Sequence, residues 1–170
     1  MHKKIGILGG GQLGRMLSVA ASRLGLQTHI FEPQANCPAG DVSHFVTTAE
    51  YTDTQALERF AKSVDVVTYE FENIPIEILK SINKEKKVLP KPDINQTVQN
   101  RKLEKTFVNN LGISTTEWVF IKSSEDIKKN KNLLPGILKT NTLGYDGHGQ
   151  FVLNSLDDVK KDWCFTADYI

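Results

Sequence analysis

Lys139 closes the apolar stretch Gly136-Ile137-Leu138 and opens the run Thr140-Asn141-Thr142-Leu143-Gly144-Tyr145-Asp146-Gly147-His148-Gly149-Gln150. A lysine at the end of a strand can act as a point charge for phosphate oxygens. Glycines at 144, 147 and 149 let a loop fold over a nucleotide with its backbone N–H groups turned to the phosphates. A Walker A loop is excluded, because G-K-[ST] is absent and the lysine precedes the glycines. The kinase pattern is excluded too, since no G-x-G-x-x-G lies ahead of a strand lysine here. A plain Gly-rich hairpin with a Tyr-Asp-Gly turn explains the same residues equally well.

A second glycine loop lies near the start. Gly9-Gly10-Gly11-Gln12-Leu13-Gly14 fits G-x-G-x-x-G between a strand and a helix. Gly9 permits a tight turn, Gly11 a close approach of backbone to ligand, and Gly14 a close approach of helix to strand. The helix start would offer unpaired N–H groups and a positive dipole end. Glu32, at the end of the next strand, sits where a dinucleotide enzyme holds a ribose. From these residues alone, a dinucleotide site and a tight turn without ligand stand level.

The elements that must carry these loops follow from periodicity. Lys4 to Leu8 reads as a buried strand, and Leu13, Met16, Leu17, Ala20 and Leu24 recur at helical spacing before Gly25. Thr28 to Phe31 and His44 to Thr47 read as strands. Asp53 caps a helix through Ala61, and Val64 to Tyr69 is a strand. A helix is expected over Ile74 to Ile82, with Pro75 in its first turn, and a strand over Lys87 to Leu89. This alternation predicts an α/β fold with a doubly wound parallel sheet. Pro90-Lys91-Pro92 predicts an extended linker, dividing the chain into residues 1–92 and 93–170. Beyond it, helices are expected over Thr97 to Leu111, Ser123 to Lys131 and Leu156 to Lys161. Strands are expected over Glu117 to Ile121, Gly136 to Thr140 and Gln150 to Leu153.

Bulk properties bound the function. The 170 residues carry a net charge of +1, with 39% hydrophobic and 24% charged residues, an ordinary soluble balance that gives no reason to expect nucleic acid or membrane as partner. Cys37 and Cys164 make neither a CxxC pair nor a zinc spacing, and the apolar run at the N-terminus is too short for a signal core. A cytoplasmic location is expected. His29 and His44 are expected to be structural.

Taken in order, several segments resemble one family. Ile5 to Leu17, including Gly9-Gly10-Gly11-Gln12-Leu13-Gly14-Arg15, is similar to the opening of the 5-(carboxyamino)imidazole ribonucleotide synthases, which are ATP-grasp ligases. Thr68-Tyr69-Glu70-Phe71-Glu72-Asn73-Ile74-Pro75 resembles their segment after the fourth strand. Gln99-Asn100-Arg101 with Glu104-Lys105 resembles the helix opening their ATP-grasp domain, and Lys139 with Gly144 to Gln150 their nucleotide loop. The likeness spans nearly the whole chain.

The resemblance implies a pre-ATP-grasp domain followed by the small α+β lid of an ATP-grasp domain. It implies ATP and magnesium as cofactors, and aminoimidazole ribonucleotide and bicarbonate as substrates. Arg101, Lys139, Gly144, Tyr145, Asp146, Gly147, His148, Gly149 and Gln150 would contact ATP, with Lys139 the catalytic charge. Gly11, Gln12, Leu13 and Glu70 would border the ribonucleotide. Glu32 then loses its ribose role and is expected to be a solvated strand-end residue. The family's metal ligands lie after the nucleotide loop, so none is expected within this chain, and the isolated chain is expected to be inactive with weak ATP affinity. A homodimer is a further expectation from the family. Leu143 departs from a pattern that often has glycine there. The rival readings are an NAD(P)-binding dehydrogenase domain, a formate-using glycinamide ribonucleotide transformylase, which usually has an acidic residue at Gln12, and a non-catalytic binding fragment.

Overall fold

The computed structural model describes residues 3–144, 147–159 and 168–170. Contacts divide the chain into two compact units, Met1–Gln96 and Thr97–Ile170.

The first unit is built on strands β1 (Lys4–Leu8), β2 (Gln27–Glu32), β3 (Phe45–Thr48) and β4 (Val66–Tyr69), all parallel, in the order β3-β2-β1-β4. Side chains alternate across a strand, and the sequence uses both faces. Ile7 and Ile30 pack with Cys37 and Ala39 on one face, while Leu8 and Phe31 join Leu57, Phe60 and Leu79 on the other. That second layer comes from helices α2 (Thr54–Lys62) and α3 (Ile76–Glu85). Asp53 starts α2 by accepting a hydrogen bond from the Ala56 N–H at 2.9 Å. Phe60 is buried edge-on to Phe31, with ring centroids 5.4 Å apart. Its burial contributes about 2–3 kcal/mol. The doubly wound α/β class read from the alternation is the observed one.

Helix α1 (Gln12–Arg23) packs through small residues, Gly14, Ser18 and Ala21. Its apolar stripe faces outward: Leu13 is 58% exposed, Met16 59% and Leu24 76%. The helical period was legible in that stripe, but the buried face is the other one.

Several expected elements differ. Pro90-Lys91-Pro92 is not an extended linker, because Pro92 is the buried first residue of α4 (Pro92–Val98), where a proline loses no helical hydrogen bond. Lys87 to Leu89 contributes only a parallel bridge from Val88 to Val67. The single helix expected over Thr97 to Leu111 is split. Asn100 takes an extended conformation and accepts from the Leu103 N–H at 3.0 Å, starting α5 (Arg101–Asn110) afresh.

In the second unit α5 and α6 (Ser124–Lys129) accompany the antiparallel pair β5 (Gly136–Lys139) and β6 (Gln150–Leu153). Ser123 and Asp126 form a capping box on α6. Ile121, Ile127, Leu138, Leu153 and Tyr169 make its core. Glu117 to Ile121 is not a strand: only Ile121 pairs, in a bridge to Tyr169. Leu156–Asp158 is a 3-10 turn, and the rest of the helix expected there, together with Cys164, lies outside the described residues.

His29 and His44 both serve the sheet: His44 Nδ1 accepts the Thr28 N–H at 3.3 Å. His29 hydrogen-bonds Ser63 Oγ at 2.9 Å and Thr47 Oγ1 at 2.8 Å, and meets Phe60 edge-on at 5.0 Å. Burial first, then the Lys4 charge, lowers its pKa to about 4. A base with a depressed folded pKa leaves the unfolded chain to take up the proton first. Stability is therefore whole above the unfolded value near 6.5 and falls as pH drops from there toward 4. Discounted for partial solvent exposure, the loss is on the order of 1–2 kcal/mol. Urea unfolding of wild type and His29→Gln at pH 7.5 and 4.5 checks this: the variant should lose less stability between the two pH values than wild type.

Candidate functional sites in the two units

The strand order places the topological switch between β1 and β4, whose C-terminal ends flank the crevice where open α/β sheets bind ligands. The first glycine loop leaves β1 at this point, and Glu70 follows β4. The Glu70 N–H donates to the Leu8 carbonyl at 3.0 Å, continuing the strand pairing. Its carboxylate reaches across the switch and accepts the Gly11 N–H at 2.8 Å. Gly9 holds φ +105, and a Cβ there would stand 2.8 Å from the Glu70 carboxylate. A Cβ at Gly14 would stand 2.8 Å from the Gly9 carbonyl oxygen, so this glycine is what lets α1 sit against the loop.

Glu32 corrects an expectation. It is half-buried rather than solvated, and its carboxylate accepts the Gly10 N–H at 2.7 Å and the Gln34 N–H at 3.1 Å. Sequence spacing marked Glu32 as chemically interesting but gave it the wrong partner. Two carboxylates thus occupy the amides of Gly10 and Gly11, the groups a dinucleotide pyrophosphate needs. A second anion there would meet like charge, which argues against the NAD(P) reading. Gln12 and Leu13, in the first turn of α1, are exposed beside Glu70's partner Gly11. So Gly11, Gln12, Leu13 and Glu70 do come together, in one unit, around a crevice of acidic character. Tyr51 stacks between Phe31 and Phe71 at 5.8 and 6.4 Å. Its pKa is raised by burial and then by Glu32 and Glu70, so the phenol stays neutral beside them. Sequence reasoning missed Tyr51, which has no motif to mark it.

In the second unit a cleft of about 750 Å³ is lined by Arg101, Lys105, Trp118, Val119 and Lys139 among others. β5 carries Lys139 to its edge: Lys139 pairs with Gln150 across the hairpin and exchanges two 2.9 Å backbone hydrogen bonds with Ile170. The lysine backbone is held on both sides, and its half-buried side chain lines the cleft. Among the described residues no carboxylate lies in ion-pair contact with its ammonium.

Arg101 was expected to face a phosphate. In the structure its guanidinium clamps the loop, donating to the carbonyls of Thr140 at 2.6 Å and Gly144 at 2.5 Å. Gly144 and Gly149 fold onto the Thr140 side chain, where added Cβ atoms would stand 2.8 and 2.5 Å from Oγ1. Gly147 and Gly149 hold φ +85 and +69, conformations that glycine adopts without penalty. Leu143 holds φ +61 without being glycine, which is a strained choice at the loop's base and fits a position that glycine would serve better. His148 is exposed on the far arm, while Tyr145 and Asp146 lie outside the described residues.

No cluster of three or more His, Cys, Asp or Glu stands ready for a metal ion among the described residues. What the two sites offer is hydrogen bonding to hydroxyls or an amine in the first unit, and in the second a cleft where Arg101, Lys105 and Lys139 stand with Glu104 and Glu117, next to the glycine loop.

Comparison with known proteins matches this division. Residues 1–99 match the ribonucleotide synthetase preATP-grasp domain, and residues 106–168 match the ATP-grasp domain. The chain is 45% identical to N5-carboxyaminoimidazole ribonucleotide synthase of Brucella melitensis, covering 96% of this chain and 46% of that protein. It is 47% identical to the bifunctional purine synthesis protein purC/E of Dictyostelium discoideum, covering 94% of this chain and 16% of that one. The chain thus spans less than half the length of these relatives. Among solved structures, N5-carboxyaminoimidazole synthetase of Staphylococcus aureus complexed with ADP superposes with a TM-score of 0.92 at 33% identity, over 99% of this chain and 47% of that one. The Aspergillus clavatus synthase, in complex with ADP and 5-aminoimidazole ribonucleotide, gives 0.81 at 32% identity, over 92% and 42%. The chain belongs to the ribonucleotide synthetase preATP-grasp family of ATP-grasp ligases, the family of the N5-carboxyaminoimidazole ribonucleotide synthases.

Proposed function

We propose that this chain forms the acceptor-binding and nucleotide-lid portions, residues 1–92 and 93–170, of an enzyme that carboxylates aminoimidazole ribonucleotide with bicarbonate and ATP. The product is N5-carboxyaminoimidazole ribonucleotide, on the route to purines. The observation that carries the reading is Lys139 at the cleft edge beside a glycine loop whose base Arg101 holds.

Bicarbonate has no good leaving group. Transfer of the γ-phosphoryl group of ATP to one of its oxygens gives carboxyphosphate and ADP. The ribonucleotide's amine nitrogen then bonds to the carboxyl carbon as the carbon–oxygen bond to phosphate breaks, or to carbon dioxide released by that same cleavage, and the amine loses a proton. Phosphoryl transfer needs position and charge neutralisation. Lys139, Arg101, and Gly144 to Gln150, including Tyr145, Asp146 and His148, serve ATP in this reading. Gly11, Gln12, Leu13 and Glu70 serve the ribonucleotide, whose hydroxyls or amine suit a carboxylate crevice better than its phosphate does. Magnesium would shield the ATP phosphates, held in this family by acidic residues that follow the nucleotide loop.

The soluble substrates suit a cytoplasmic protein, and no helix among the described residues is long and apolar enough to cross a membrane. A second copy of the chain is proposed as partner. Sedimentation over a range of concentrations reads this, and a monomer throughout rejects it.

Amide-shift titration with Mg-ATP and with NADH, sensitive to millimolar affinities, tests the nucleotide assignment. Shifts at Lys139 and Gly144 to Gln150 with Mg-ATP, and none at Gly9 to Gly14 with NADH, are expected. NADH shifts confined to Gly9–Gly14 would refute the assignment.

A further inference from the structure

The N-terminus of α5 binds no ligand of its own; it holds the base of the nucleotide loop. An α-helix begins with unpaired N–H groups, and in α5 the chain itself takes them. The Arg101 N–H donates to the Asn141 carbonyl at 2.9 Å, and the Lys102 N–H to Asn141 Oδ1 at 3.0 Å. Those of Leu103 and Glu104 go to Asn100, at 3.0 Å to Oδ1 and 2.9 Å to its carbonyl. Asn141 is 5% exposed, and its own N–H donates to the Asp168 carbonyl at 2.8 Å. One buried residue therefore joins the helix start, the end of β5 and the Asp168 segment, two positions after Lys139. The Arg101 guanidinium completes the hold through Thr140 and Gly144 on either side of it.

We infer that Asn141 is the positioning residue of the nucleotide loop: its side-chain oxygen ties the loop's base to the first turn of α5, and so sets where Lys139 and the Gly144–Gln150 arch stand when ATP binds. This rests on the nucleotide reading above. Asn141 is suited to the task because its side chain and backbone present two acceptors to successive N–H groups of one helical turn. Leucine, of similar size, leaves the part-buried Lys102 N–H without its acceptor. Aspartate keeps the acceptor and adds a negative charge at the positive end of the helix.

The test is amide-shift titration with Mg-ATP and amide hydrogen exchange on wild type, Asn141→Leu, Asn141→Asp and Lys139→Ala. Asn141→Leu should bind Mg-ATP about five- to tenfold more weakly and exchange the Lys102 amide faster, while Asn141→Asp stays within about twofold of wild type on both. If Asn141→Leu does not fold, Asn141→Ala replaces it with the same expected direction. Rescue by aspartate separates positioning from general loss of packing, which either substitution would cause. An Asn141→Leu protein that binds like wild type, while Lys139→Ala binds weakly, overturns the inference and leaves the nucleotide reading standing. Binding that is indifferent to Lys139→Ala overturns the nucleotide reading, and the inference with it.

Discussion

Lys139→Ala will weaken Mg-ATP binding by about tenfold to a hundredfold, the range of one or two charge-assisted hydrogen bonds lost from a partly desolvated site. The side chain lies in the cleft and its backbone is pinned by Gln150 on one side and Ile170 on the other, so truncation removes charge without releasing the strand. Unfolding should therefore be nearly unchanged. Lys139→Arg should recover only part of the affinity, because the planar guanidinium cannot occupy the space of a compact ammonium. The titration described above measures all three proteins. Equal affinity of Lys139→Ala and wild type would remove the lysine from the site.

Gly14→Ala will destabilise the first unit by about 1–3 kcal/mol, although alanine is the better helix former by about 1 kcal/mol. The new methyl group would stand 2.8 Å from the Gly9 carbonyl oxygen and 3.3 Å from Ala39 Cβ. The first of these neighbours is backbone and cannot rotate away. Helix α1 must lift from the loop, which moves Gly9 and Gly11 relative to Glu70. Thermal melting should show a loss of roughly 5–15 °C. Ser22→Ala, at an exposed position of the same helix, supplies the control and should leave the melting temperature level or raise it. A stable Gly14→Ala protein would mean that α1 does not need its close approach.

The two substitutions probe the two kinds of information in the chain. Alternation of strand and helix, the strands at Lys4 to Leu8 and Thr28 to Phe31, and the glycine spacing of both loops were all legible locally, while the opposite faces taken by Ile7 and Leu8 were not. They depend on residue type and neighbours in sequence, which is what a pattern records. Lys139 was legible for the same reason, as a charge ending an apolar strand.

Other features depended on partners distant in the chain. Glu32 and Glu70 lie 22 and 59 residues from the amides they bind, so no window of sequence could pair them. Arg101 finds Gly144 at a separation of 43 residues, and Lys102 finds Asn141 at 39. The apolar stripe of α1 gave the right helix and no clue that its small-residue face is the buried one, because packing distance against the sheet decides that. By itself, then, the sequence determined most of the elements and their order, and marked Lys139 and its glycines as a candidate for holding phosphate, since each follows from local stereochemistry and burial. Only the tertiary structure decided which carboxylates close the first loop and which helix holds the second, because a buried N–H must be paired with whatever acceptor the fold brings within reach.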